Sequence, residues 1–253
     1  MRARFFIRLA ACLLLTVCFA ASAHAAQITV SAAASLTNAF AEVKEAFEKK
    51  YPDIKITTNF AASNPLLRQI EEGAPVDVFA SADQATMDKA AEKKLIDDAS
   101  RVNFALNSLV LIAPADSKAP LAKVEDLKEG TITKIAIGNP ASVPAGRYGK
   151  DALTKAGLWD TLEKKYIMGE SVRQTLAYVV RGEVEAGIVY MTDAKQGGDK
   201  VRIVTELSGH EPVLYPIAII KKSAAHKEAK MFIDFVLSDE GKAILAKYGF
   251  SKP

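Results

Sequence analysis

Short strand-like runs alternate with amphipathic helical stretches along this chain, and this alternation restricts the folds that it can adopt. Residues 28–30 predict a first strand, and apolar residues then recur with helical spacing from 36 to 47. Apolar residues alternate again from 54 to 60, which predicts a second strand. The repeated order of strand and helix predicts an α/β fold whose sheets are mixed, mainly parallel and flanked by helices.

The same pattern continues to the C-terminus. Further strands are predicted at residues 76–80, 108–113, 133–138, 186–190 and 213–220, and further helices around 66–70, 149–156, 172–181 and in the C-terminal stretch. Pro65 suits a first helical turn, Gly73 a C-cap and Asp83 an N-cap. Pro216 predicts an edge or crossover strand, because proline cannot donate to a sheet. The two strongly apolar strands, 108–113 and 213–220, are compatible with two lobes joined by two crossings.

Residues 1–25 have the composition of a secretory signal peptide. Three arginines precede an apolar run over 9–21, and Ala-His-Ala at 23–25 is a small-x-small cleavage site. The run is too short for a membrane anchor, which needs about 20 apolar residues. Cys12 follows a sequence that resembles a lipoprotein box, but cleavage there would leave most of the apolar run in place. We therefore expect a periplasmic protein without a lipid anchor.

Removal of this leader changes both the thiol content and the charge of the chain. Cys12 and Cys18 are lost with it, so the remaining protein has no disulfide and no thiol chemistry. The loss of three arginines lowers Lys plus Arg from 33 to 30, equal to the 30 Asp plus Glu. A net charge near zero argues against nucleic acid or anionic membranes as partners. Any bound anion must be held by local chemistry.

Loops of small, mostly hydroxyl-bearing residues follow several predicted strands, where helices begin. They are residues 32–35, 61–64, 80–83, 142–146, 170–172 and 190–193. Ligands of open α/β sheets bind at this edge, and a helix N-terminus offers unpaired N–H groups and the positive end of its dipole. These loops are candidate anion sites, although each serine could equally be an N-cap alone.

Several segments together resemble the periplasmic molybdate-binding proteins of ABC transporters. They are AASLTNAF at 33–40, FAASNPLLRQIEEGAPVDVFASAD at 60–83, NSLV at 107–110, VPAG at 143–146, GIVY at 187–190 and KYGF at 247–250. The resemblance runs in order along nearly the whole chain after the leader. It is therefore more specific than any single motif.

This resemblance implies the two-lobed type II periplasmic binding-protein fold, with an anion held between the lobes. The first lobe is expected to span 26–110 and 214–253, and the second 111–213, joined by two crossover strands. Molybdate is expected to contact hydroxyl and backbone N–H groups of Ser35 and Ser63, backbone N–H groups of Ala145 and Val172, and the hydroxyl of Tyr190. The implied partners are the permease and ATPase subunits of a molybdate transporter. The protein itself is expected to be a monomer.

The residues near these loops depart from a simple anion site in two respects. Asn64-Pro65 follows Ser63 where the family pattern has small or hydroxyl residues, and Pro65 removes one backbone donor. Arg68, Arg147 and Arg173 lie near three of the loops and suggest a cationic clamp. We favour a neutral pocket, because helix arginines are more often solvated than ligand-bound.

A pocket of hydrogen-bond donors alone selects among anions by their protonation. Molybdate, tungstate and sulfate carry no proton, whereas hydrogen phosphate needs an acceptor that such a pocket lacks. Sulfate must be rejected by size. The preference for molybdate therefore comes from the resemblance, and molybdate and tungstate are not distinguished.

An enzyme is the main alternative class, and another oxyanion such as sulfate is the nearer alternative ligand. An exported hydrolase is disfavoured because the chain has no G-x-S-x-G motif. After the leader its only histidines are His210 and His226, which lie outside the candidate loops. The absence of cysteine and of an H-x-x-x-H pattern also argues against a site for a metal cation, and no cofactor is expected.

Overall fold

A computed structural model of the protein describes residues 26–253. The predicted signal peptide, with Cys12 and Cys18, lies outside the described residues. Within 26–253, none of the helices is long and apolar enough to cross a membrane.

Ten strands and eight α-helices lie in the described chain. The strands are β1 Ala26–Ala33, β2 Ile54–Ala61, β3 Val78–Ala80, β4 Val102–Asn107, β5 Leu109–Pro114, β6 Ile135–Gly138, β7 Tyr166–Gly169, β8 Ala186–Tyr190, β9 Val201–Glu206 and β10 Val213–Ile219. The helices are α1 Thr37–Lys50, α2 Ser63–Glu71, α3 Gln84–Glu92, α4 Pro144–Lys155, α5 Val172–Val180, α6 Met191–Gly197, α7 His226–Leu237 and α8 Asp239–Lys247.

The strands form two five-stranded sheets with the same arrangement, β2-β1-β3-β10-β4 and β7-β6-β8-β5-β9. In each sheet the first three strands are parallel, and the fourth pairs antiparallel with both neighbours. Each sheet is therefore mixed, with only its fourth strand reversed. We call the sheet of β1 and its helices the first lobe, and the sheet of β6 and its helices the second lobe. The predicted α/β two-lobed fold is confirmed.

The chain passes between the sheets at Ser108 and again between β9 and β10. Leu109 and Val110, which the sequence places in the first lobe, lie in β5 of the second sheet, and Val213 lies in β10 of the first. Apolar residues lie on both sides of the first crossing, and only the two polar residues Asn107 and Ser108 separate them, so hydrophobicity marks the crossing weakly. The break coincides with Asn107, whose Oδ1 accepts from the N–H of Ser108 at 2.9 Å.

Pro216 occupies a different position from the edge that the sequence suggests. Its strand, β10, follows the second crossing but lies between β3 and β4 in the interior of the sheet. The register against β4 shifts between Tyr215 and Pro216. This irregularity accommodates a residue that has no N–H to donate.

Aromatic packing fixes the helices of the first lobe against one another. Phe47 of α1 contacts Phe232 and Phe235 of α7 edge to face, each with ring centroids 5.6 Å apart. Such pairs contribute about 0.5–1.5 kcal/mol beyond the burial of their area. The C-terminal helices therefore anchor α1, and with it the loop that precedes α1.

Candidate functional site

A small cavity of about 10 Å³, taken as the space open to the centre of a water-sized sphere, lies between the two lobes, at the ends of the strands where helices begin. All five residues implied by the resemblance line it. The lining is Ala33, Ala34, Ser35, Ala62, Ser63, Ala82, Val143, Pro144, Ala145, Val172 and Tyr190. None of these side chains carries a formal charge at neutral pH, so the wall is neutral.

The wall from the first lobe presents two buried serine hydroxyls. Ser35 lies in a short 3-10 turn, Ala34–Leu36, between β1 and α1, and is 3% exposed. Ser63 is the first residue of α2 and is fully buried. Its Oγ accepts a hydrogen bond from the backbone N–H of Ala82 at 3.0 Å. Because that bond uses an oxygen lone pair, the hydroxyl proton of Ser63 remains available to a ligand.

The wall from the second lobe is made of helix starts. Ala145 is the second residue of α4, after Pro144, and Val172 is the first residue of α5. The first N–H groups of a helix have no partner inside that helix, and the positive end of the helix dipole lies with them. A side chain on Gly146 would overlap the backbone of Gly138 at the end of β6. Glycine therefore allows α4 to begin close against its sheet.

Tyr190 contributes a hydroxyl from the last residue of β8. The phenol is 1% exposed, and its OH donates to the carbonyl of Ala82 across the cleft at 3.4 Å. Burial raises the pKa of this phenol well above its ordinary value. The hydroxyl therefore stays protonated, and its single proton can turn from the long bond with Ala82 to an anion in the cavity.

Two of the three candidate clamp arginines are engaged by aspartates. Arg147 of α4 bonds Asp83 of the first lobe, with its Nε 2.9 Å from Asp83 Oδ2, and also donates to Thr86 Oγ1 at 2.8 Å. Arg173 of α5 lies 2.7 Å from Asp193 of its own lobe, measured from Nε to Oδ1. Neither arginine is among the residues that line the cavity.

Arg68 occupies a third environment. It is exposed and lines a wider groove of about 650 Å³ beside the small cavity, together with Asn139, Glu170 and Gln174. The groove carries charges of both signs. Its arginine lies outside the cavity.

Asp193 is the most strongly buried charge beside the cavity, with no exposed surface. Burial raises the pKa of its carboxyl to about 6, and the neighbouring Arg173 acts in the opposite direction. Arg173 also donates from Nη2 to the carbonyl of Ser35 at 3.3 Å. Arg173 therefore links the buried carboxyl of Asp193 to the loop of Ser35 in the first lobe.

Asn64, the departure from the family pattern, also bridges the cleft. Its Nδ2 donates to the carbonyl of Ala141 in the second lobe at 2.9 Å, and its Oδ1 accepts from Thr86 at 3.1 Å. Pro65 lies in the first turn of α2, as predicted. With the Arg147 and Tyr190 contacts, these bonds place the two lobes in a closed arrangement.

In the part of the chain that the structure describes, neither a metal-binding cluster nor a histidine is found at the cavity. Among residues 26–253, no cluster of His, Cys, Asp and Glu could hold a metal ion. His210 contacts the carbonyls of Leu207 and Glu211, and His226 is exposed at the start of α7. Neither histidine lines the cavity.

Sequence reasoning missed the residues behind the cavity wall. Tyr215 lies 2.9 Å from Ser35, between hydroxyl oxygens, and Asn107 Nδ2 lies 3.3 Å from the Tyr215 oxygen. Asn107 opens the NSLV segment, which was the one signal for it in the sequence. No local pattern connects Tyr215 with Ser35, because the two are distant in the chain.

The chain belongs to the bacterial extracellular solute-binding protein family, whose model matches residues 28–251. It is 42% identical to the molybdate-binding protein ModA of Escherichia coli (strain K12), over 91% of each chain. It is 40% identical to the protein of that name from Haemophilus influenzae, over 92% of each chain. The fold matches the periplasmic molybdate-binding protein of Azotobacter vinelandii with a TM-score of 0.79 and 25% identity, covering 89% of this chain and 99% of that one. The resemblance found in the sequence is confirmed.

Proposed function

We propose that this protein captures molybdate or tungstate outside the cytoplasm and delivers it to an ABC transporter. The observation that carries the proposal is the arrangement of Ser35, Ser63, Ala145, Val172 and Tyr190 around one neutral cavity between the lobes. Each can donate a hydrogen bond, from a hydroxyl or from a backbone N–H group. The identity of the anion is supported by the relatives that are molybdate-binding proteins.

The electrostatics of the cavity suit a fully deprotonated dianion. Burying an unpaired charge is costly, so each anion oxygen needs donors. Helix starts at Ala145 and Val172 supply N–H groups and a favourable dipole without a counter-ion. Arg147 and Arg173 are occupied by Asp83 and Asp193. We therefore expect binding to need neither a cofactor nor a metal cation.

The proposed partners follow from the family. The protein is exported by its signal peptide, works in the periplasm as a monomer, and presents its closed form to permease and ATPase subunits. Closure depends on contacts between lobes, such as Asn64 with Ala141. Ligand binding shifts the population toward the closed form. Small-angle scattering with and without molybdate should show a smaller radius of gyration on binding, and identical curves would contradict closure.

Calorimetric titration of the protein without its leader tests the proposed ligand. Molybdate and tungstate should bind tightly, and sulfate and phosphate should not. Equal affinity for sulfate would reassign the protein as a carrier of tetrahedral oxyanions in general. No binding of any of the four anions would contradict the proposal and favour an enzyme.

A further inference from the structure

The amide of Asn107 has a defined orientation. Its Oδ1 accepts from the N–H of Ser108 at 2.9 Å, so Nδ2 is the donor side. That nitrogen donates to Thr192 Oγ1 at 2.9 Å and to the hydroxyl oxygen of Tyr215 at 3.3 Å. Asn107 is 9% exposed, so these bonds lie in the protein interior at the first crossing between the lobes.

This orientation determines the direction of the next hydrogen bond. The hydroxyl of Tyr215 is fully buried, and the hydrogen bonds of the described residues give it two partners, Asn107 and Ser35. Because Asn107 donates to the oxygen, the phenol proton is left for Ser35 Oγ, 2.9 Å away. The opposite direction would leave a buried phenol proton without an acceptor, which is costly.

The same reasoning then applies to Ser35. Its Oγ accepts from Tyr215, so its single proton can turn toward the cavity that Ser35 lines. We propose that Tyr215, oriented by Asn107, is a positioning residue that makes Ser35 an obligatory hydrogen-bond donor to the bound anion. This inference rests on the proposed function, and it adds the reason why the proton of this serine is directed to the anion.

Ser63 provides an independent parallel within the same wall. Its Oγ accepts from the backbone N–H of Ala82 at 3.0 Å. A backbone donor at Ser63 and a side-chain donor at Ser35 have the same effect, since each occupies one of the two lone pairs of the serine oxygen and so reduces its capacity to accept a proton from a ligand. Both hydroxyls therefore favour unprotonated oxyanions over protonated ones. Tyr215 is the partner that a substitution can remove.

A double-mutant cycle on molybdate affinity tests this role. Tyr215→Phe should weaken molybdate binding about tenfold, since one hydrogen bond that orients a buried donor is lost. In a Ser35→Ala background the same substitution should cause little further loss, because Tyr215 acts through Ser35. Tyr248→Phe is the matched control, since that hydroxyl bonds Glu42 away from the cavity, and it should leave affinity unchanged.

The outcomes separate this inference from the proposed function. Losses from Tyr215→Phe and Ser35→Ala that multiply in the double variant would overturn the positioning role, while molybdate binding by the unaltered protein would still stand. Absence of molybdate binding by the unaltered protein would instead remove the proposed function. Titration with phosphate gives a second readout. Tyr215→Phe should lower the ratio of molybdate affinity to phosphate affinity.

A second variant covers the case in which Tyr215→Phe does not fold. Asn107→Leu removes the donor to Tyr215, so that Tyr215 can accept from Ser35 and compete with the anion for its proton. Molybdate affinity should fall several-fold, on the scale of one hydrogen bond. The fall should be smaller in the Ser35→Ala background, and an equal fall in both backgrounds would overturn the inference.

Discussion

The two lobes repeat one strand order but bring different chemistry to the cavity between them. The first lobe contributes serine hydroxyls whose oxygens are already occupied by Tyr215 and by Ala82. The second contributes one side-chain donor, Tyr190, and backbone N–H groups at the starts of α4 and α5. Hydroxyl donors can be removed by truncating a side chain, whereas the N–H groups belong to the backbone. The first wall is thus set by side-chain identity and the second mainly by helix placement.

The two arginine–aspartate pairs beside the cavity differ in a related way. Arg147 and Asp83 come from different lobes, whereas Arg173 and Asp193 lie in the same lobe. A pair between lobes is lost whenever the lobes separate, so it contributes to closure. A pair within a lobe is retained, so it contributes mainly to folding. Similar chemistry therefore has different consequences, and substitutions can separate them.

The largest expected effect is on folding of the second lobe. Asp193→Ala leaves Arg173 without its buried partner and should lower the free energy of unfolding by about 3–5 kcal/mol. Chemical denaturation at neutral pH measures this. Asp234→Ala, which removes an exposed pair with Lys230, is the control and should cost at most about 1 kcal/mol. Equal losses would show that the buried pair has no special structural role.

The pH dependence of stability should also identify Asp193. Burial raises the pKa of Asp193 from 3.8 to about 6 in the folded protein, so protonation favours the folded state. Its contribution is fully present below pH 3.8 and is lost as the pH rises through about 6. The free energy of unfolding of the unaltered protein relative to Asp193→Asn should fall by on the order of 2–3 kcal/mol between pH 4 and pH 7. Parallel curves for the two proteins would contradict this assignment.

Side-chain donors from the two walls can be compared directly. Ser35→Ala in the first lobe and Tyr190→Phe in the second each remove one donor to a buried charge. Each should cost about 1.5–3 kcal/mol of molybdate binding by calorimetry. Tyr166→Phe, whose hydroxyl bonds the carbonyl of Trp159, should not change affinity. Unchanged affinity in both site variants would mean that the anion binds elsewhere.

Loss of the Arg147–Asp83 pair, which crosses the cleft, should affect closure of the lobes more than folding. Arg147→Gln removes the ionic contact with Asp83 and should weaken molybdate binding by about 1–2 kcal/mol, with a smaller change in unfolding free energy. The same titration and denaturation on Arg173→Gln should give the larger loss of folding stability. A reversal of this order would contradict the distinction between the two pairs.

The smallest effect is expected at Arg68. This exposed residue lies in the neighbouring groove and does not line the cavity. Arg68→Gln should change molybdate affinity by less than about 0.5 kcal/mol. A loss as large as that of Ser35→Ala would favour a cationic clamp over a neutral pocket.

Much of the fold could be predicted because burial leaves a periodic pattern in the sequence. Strand β8 and helix α5 were predicted within a residue of their observed ends. Strands β4, β7 and β9 and helix α6 were missed. Strand β9 is an edge strand with an exposed Ile203, so its apolar residues do not report burial. Short, partly exposed strands give too weak a pattern to be recognised.

The candidate site divides along similar lines. The hydroxyl loops at Ser35 and Ser63 could be found from strand ends and small residues, and the resemblance added Ala145, Val172 and Tyr190. The contacts of Tyr215 with Ser35 and of Arg147 with Asp83 could not be found, because they join residues far apart in the chain. Three-dimensional proximity, not local sequence, creates them.

The position of the cavity between two walls also has a kinetic consequence. An anion in contact with both Ser35 and Val172 cannot leave while the lobes remain together, so dissociation can be no faster than their separation. Since the anion itself bridges the lobes, this upper limit depends on the anion as well as on the direct contacts between the lobes. Weakening the contact of Asn64 with Ala141 should raise it, shortening the residence time of molybdate and tungstate alike.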